Sequence, residues 1–71
     1  MTKSLKLKAV ILEKGMIQEE IAQQLGMTPA TFNYKVNNKR EFKASEIKRL
    51  SELLALTADE VNTIFFAEEV E

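Results

Sequence analysis

Apolar residues recur along this chain at helical spacing almost from end to end. Leu7, Val10 and Ile11 stand at i, i+3 and i+4. Ile21, Ala22 and Leu25 stand at i, i+1 and i+4, and Phe32 and Val36 lie four apart. Ile47, Leu50 and Leu54 follow, then Val61, Ile64 and Phe65. Each set falls on one face of a helix, and no stretch alternates as a half-buried strand would. The breakers fit between the sets: glycine occurs only at 15 and 26, and proline only at 29.

The pattern predicts five helices: Ser4 to Lys14, Ile17 to Leu25, Pro29 to Val36, Ala44 to Leu54, and one following Thr57 to about Phe66. Gly15 and Gly26 close the first two, where a chain leaving a helix often needs positive φ. Thr28-Pro29 opens the third with a hydroxyl cap and a proline at the first helical position. Asn38 closes it in the left-handed conformation, so Asn38→Gly is expected to be neutral or slightly stabilising. Phe42 plugs the space between turns. Thr57-Ala58-Asp59-Glu60 has the spacing of a capping box. Residues 67–71 are expected to fray.

Two short helices, one glycine turn and the small Ala22 at their crossing describe a helix-turn-helix, whose second helix enters the major groove of DNA. A chain of 71 residues is expected to form one domain. It has no cysteine and no histidine, so neither a thiolate site nor the commonest metal ligand and general base is present. No paired nucleophile or phosphate loop accompanies its carboxylates. The expectation is therefore no enzyme, no metal and no cofactor. No apolar run approaches a membrane span, and a cytoplasmic location is expected.

The net charge of −1 hides a strong asymmetry. Residues 33–49 carry Lys35, Lys39, Arg40, Lys43, Lys48 and Arg49 against Glu41 and Glu46. Residues 50–71 carry six acids and no base. A protein that meets a polyanion needs a basic face rather than a basic total.

With five helices placed, the chain resembles the phage Cro and repressor type of helix-turn-helix, the lambda-repressor-like fold. The resemblance spans about residues 5–66. Its strongest part is the run from Gly15 through Gln18-Glu19-Glu20-Ile21-Ala22 to Leu25-Gly26-Met27-Thr28, followed by Asn37-Asn38-Lys39-Arg40 and Leu54-Ala55-Leu56-Thr57. Three positions depart from the family pattern: Ile17 replaces a frequent serine or threonine cap, Val36 a frequent glutamate, and Asn38 a common glycine. The resemblance implies a compact all-α domain, a stand-alone repressor and a contact of Gln18 with the DNA backbone.

Base edges are expected to meet Thr28, Pro29, Ala30, Asn33 and Tyr34. The Asn33 amide suits a bidentate pair with adenine, and Pro29 or Ala30 a thymine methyl. Thr28 has a competing role as helix cap, and Tyr34 as a packing residue or phosphate donor. Lys35, Asn37, Lys39, Arg40 and Lys43 are expected to meet phosphates. Phe66 and Val70 are the expected contact of a weak homodimer on a palindromic double-stranded operator. The competing function is a protein-interaction module, of antirepressor or antitoxin type, that has lost DNA binding.

Overall fold

The computed structural model describes residues 1–66 and contains five helices: α1 (Ser4–Glu13), α2 (Gln18–Gln24), α3 (Pro29–Val36), α4 (Ala44–Leu53) and α5 (Ala58–Val61). There is no strand among the described residues, so the chain is an all-α protein. No described helix is long and apolar enough to cross a membrane.

The hydrophobic stripes meet in one core. Leu7, Val10 and Ile11 of α1, Ile21 and Ala22 of α2, and Phe32 and Val36 of α3 are buried together. Leu50 and Leu54 close it from the α4 side, with Ile64 and Phe65 from the end of α5. Leu25, Ile47 and Val61, expected inside, are half-buried at its margin. Phe42 joins the layers edge-on: its ring centroid lies 5.9 Å from Phe32 and 5.6 Å from Phe65. Such T-shaped pairs place a positive ring edge on a negative face.

Four helices stop by the same device. After α1, the Met16 N–H donates to the Ile11 carbonyl at 3.2 Å and the Gly15 N–H to Leu12 at 3.0 Å. After α2, Met27 donates to Ala22 and Gly26 to Gln23. After α3, Lys39 donates to Tyr34 and Asn38 to Lys35; after α4, Leu56 donates to Ser51 and Ala55 to Glu52. This pair of hydrogen bonds satisfies carbonyls that a helix end would orphan, and it requires a left-handed residue at the turn. Gly15, Gly26, Asn38 and Ala55 take φ of 70°, 71°, 63° and 52°. The first three were legible as helix closers. For Ala55 only the end of the helix was expected, not its left-handed backbone, because alanine has neither the freedom of glycine nor the polar side chain of asparagine.

The helix starts are equally specific. The Thr57 hydroxyl accepts from the Glu60 N–H at 3.1 Å, while the Glu60 carboxylate accepts from the Thr57 N–H at 2.9 Å. At α4 the Lys43 N–H donates to the Glu46 carboxylate at 2.8 Å. Ile17, before α2, supplies no side-chain cap. The last helix differs from the continuous α-helix expected there: from Asn62 to Phe66 it widens into a π-helical turn. Within that turn the Ile64 carbonyl accepts the Lys3 N–H at 2.8 Å, which ties the start of the chain to the last described turn.

Candidate nucleic-acid interface

α2 and α3 pack on each other through buried Ile21, Ala22 and Phe32. Ala22 is fully buried, so its small side chain serves the close crossing that the sequence implied. On α3, Phe32, Lys35 and Val36 point inward. Ala30, Asn33 and Tyr34 lie around the remaining side, and Pro29 is left open at the first turn; all four are exposed to solvent. Helical geometry requires this separation, since residues 32, 35 and 36 share one side. Among the described residues nothing hydrogen-bonds the Asn33 side-chain amide, so its donor and acceptor both face water. Tyr34 is 48% exposed, so about half of its surface is packed and the rest meets solvent.

Thr28 takes the other role considered for it. Its hydroxyl oxygen accepts from the Thr31 N–H at 3.2 Å, and the two hydroxyls lie 3.0 Å apart. The group that would meet a base edge is used in the first turn of α3, so Thr28 is a helix cap.

Lys35 requires a correction. It was expected to reach phosphate, but it is only 7% exposed and its ammonium lies 2.6 Å and 2.8 Å from the two carboxylate oxygens of Glu46. Lys35 is one turn on from Phe32 and beside Val36, so its stem runs across the core margin toward α4. A cation held there needs a partner, and Glu46 is that partner. Burial pushes the Glu46 carboxyl up. The hydrogen bond from Lys35, the Lys43 N–H and both lysine charges outweigh that, and hold it below the ordinary carboxylate value.

Beyond α3 the picture is closer to expectation. Lys39, Arg40 and Lys43 are exposed, and among the described residues none has an acid within ion-pairing distance. Asn37 is half-buried and structurally engaged: its amide nitrogen donates to the Asn33 carbonyl at 2.9 Å and its amide oxygen accepts from the Lys8 ammonium at 2.8 Å. Gln18, the first residue of α2, is half-buried. Arg49 lies elsewhere, its Nε donating to the Gln24 carbonyl at 3.0 Å.

One contributor escaped the sequence. The beginning of α1 is fastened along the end of α3: the Ser4 hydroxyl donates to the Val36 carbonyl, and Thr2 and Asn38 exchange two hydrogen bonds of 2.8 Å. This brings Lys8 beside Asn37, adding a cation to the edge that carries Lys39 and Arg40. Only a periodic placement of Lys8 on the flank of α1 hinted at it. Phe66 is 58% exposed and stands with Met1 and Phe42 around a shallow hollow. Val70, the other expected dimer residue, lies outside the described residues. Among the described residues no group of three acids could hold a metal ion.

These features define a small all-α protein that exposes the outer face of a short, firmly packed third helix beside a cluster of cations. The chain belongs to the family described as "Protein of unknown function (DUF739)", whose sequence model matches residues 3–68. No curated protein matches it.

Proposed function

We propose that this chain is a sequence-specific double-stranded DNA-binding regulator of transcription, of the small Cro-like repressor kind, in which α2 and α3 form a helix-turn-helix. The observation that carries the reading is the outer face of α3. Pro29, Ala30, Asn33 and Tyr34 are exposed together on a helix whose inner side is locked in the core. A reader of base edges needs this combination of rigid backing and free polar tip.

In this reading α3 lies in the major groove, and Asn33 pairs with an adenine edge. Lys39, Arg40 and Lys43 meet phosphates beyond its C-terminal end, and Gln18 meets the backbone from α2. Lys8 joins the phosphate set, while Lys35 only supports α3 from behind. Phe66 offers an apolar contact to a second copy, so that two α3 helices address half-sites one helical turn apart.

The test is fluorescence anisotropy of a random duplex at low and moderate salt. Phosphate contacts release counterions, so binding should weaken steeply as salt rises. Absence of binding at low salt would favour the rival reading, a protein-interaction module.

A further inference from the structure

The outer face of α1 has no role in the reading above. Leu5 and Leu12 are 83% and 80% exposed, with exposed Ala9 between them. These residues stand at i, i+4 and i+7, directly opposite the buried Leu7, Val10 and Ile11. A helix that buries one stripe normally turns polar residues outward. Here the outward stripe is a second apolar seam with the spacing of a coiled-coil interface.

The polar residues beside the seam identify its occupant. Lys6 and Glu13 flank it on one side, seven residues apart and so on the same edge of the helix. If a second α1 is laid antiparallel with Ala9 facing Ala9, residues 5 and 6 of one copy come opposite residues 13 and 12 of the other, so Leu5 lies within one residue, about 1.5 Å along the axis, of Leu12, and Lys6 equally near Glu13. Leu5 then packs on Leu12 of the second copy, and Lys6 meets Glu13. The two-fold axis repeats both contacts. Ala9 sits on that axis, where its small side chain lets the helices approach closely. Lys8, on the other edge, is drawn away toward Asn37 at 2.8 Å, so the two copies of its ammonium do not face each other. A parallel pair would instead set the Lys6 and Glu13 edge of each copy against the Lys8 edge of the other, with no mutual Lys6–Glu13 contact.

We infer that the Leu5–Ala9–Leu12 face of α1 is a self-association surface, pairing antiparallel with the same face of a second copy of this chain. It is distinct from the hollow beside Phe66, and it does not depend on DNA. The ten-residue helix is only about 15 Å long, so the contact falls well below the area of a stable dimer interface. The association is accordingly weak and concentration-dependent.

Sedimentation equilibrium of the full chain without DNA, from about 20 µM to about 1 mM, tests this. The chain should shift from monomer toward dimer across that range. Leu12→Glu should weaken the association at least about tenfold, whereas Phe66→Ser should leave it unchanged. Lys6→Glu alone and Glu13→Lys alone should each weaken it, because each sets like charges together. The double change K6E/E13K, or an equimolar mixture of the two single variants, should restore it. Circular dichroism melts establish that each variant is folded, since Lys6 also acts on Glu60 within its own copy. A chain that stays monomeric to the top of the range overturns the proposal, as does an association that the charge swap fails to restore. DNA binding by the monomer would be untouched by either failure.

Discussion

Asn38 and Thr2, thirty-six residues apart, hold each other by a reciprocal pair of hydrogen bonds: the Thr2 N–H donates to Asn38 Oδ1, and Asn38 Nδ2 donates to the Thr2 carbonyl, both at 2.8 Å. The same Nδ2 also lies 3.2 Å from the Ser4 hydroxyl oxygen. The left-handed φ of 63° at Asn38 agrees with the sequence reading, but glycine is no longer an equivalent there. Asn38→Gly would keep the turn and release the start of the chain from the end of α3. The bonds are exposed, so the expected cost is about 1 kcal/mol rather than the small gain that backbone freedom alone predicts. Asn38→Val loses both the bonds and the φ preference and should cost more. Thermal melts of the two variants check the order.

Ala55 supplies the converse case. It closes α4 at φ 52° with an exposed side chain, so glycine loses nothing in packing. Ala55→Gly should stabilise the protein by roughly 0.5–1 kcal/mol, read as a raised Tm. An unchanged or lowered Tm would mean that α4 does not end in this turn.

The Lys35–Glu46 pair gives stability a pH dependence. In the folded chain the Glu46 carboxyl titrates below its ordinary value. Its contribution is therefore complete above the usual carboxylate range, and is lost as pH falls through the lowered folded value. Glu46→Gln strands the Lys35 ammonium and should cost about 1–3 kcal/mol at neutral pH. The difference from the parent should shrink in acid, as pH falls through the lowered folded value and the parent carboxyl takes up its proton. Denaturant melts at neutral and at acid pH measure it. A difference of equal size at the two would contradict the assignment.

Lys39 and Arg40 differ from Lys35 in having no acid within ion-pairing distance among the described residues. Replacing both by alanine should weaken binding to all duplexes alike and lower the salt slope by about two, one per phosphate contact. Lys35→Met, by contrast, should leave the slope unchanged and alter only stability. Anisotropy titrations over a series of salt concentrations distinguish them.

Most of the fold was legible because local signals and the core pattern agree. The apolar spacing, Gly15, Gly26, the Thr28-Pro29 start and the Thr57–Glu60 box each name a boundary that the structure keeps within a residue or so. What was not legible depends on distant partners. Lys35 looks like any surface cation until α4 brings Glu46 against it. Lys8 and Thr2 gain their places only when α1 lies along the end of α3. The widening at Asn62–Phe66 leaves no mark in the spacing of Val61, Ile64 and Phe65. For the candidate interface, the outward face of α3 was readable from the burial of Phe32 and Val36, whereas the capping of Thr28 was readable only as one of two options.

The central claim is that the exposed face of α3 reads duplex DNA through Asn33. Selection of binding sites from a random duplex library, run in parallel with the parent chain and with Asn33→Ala, tests it most directly. The parent should return a palindromic consensus. The variant should lose preference at one base pair in each half-site, since an asparagine–adenine pair contributes about 1–3 kcal/mol of discrimination. Its binding to random DNA should be nearly intact. No enrichment by the parent, or the same consensus at every position from both proteins, would contradict the account.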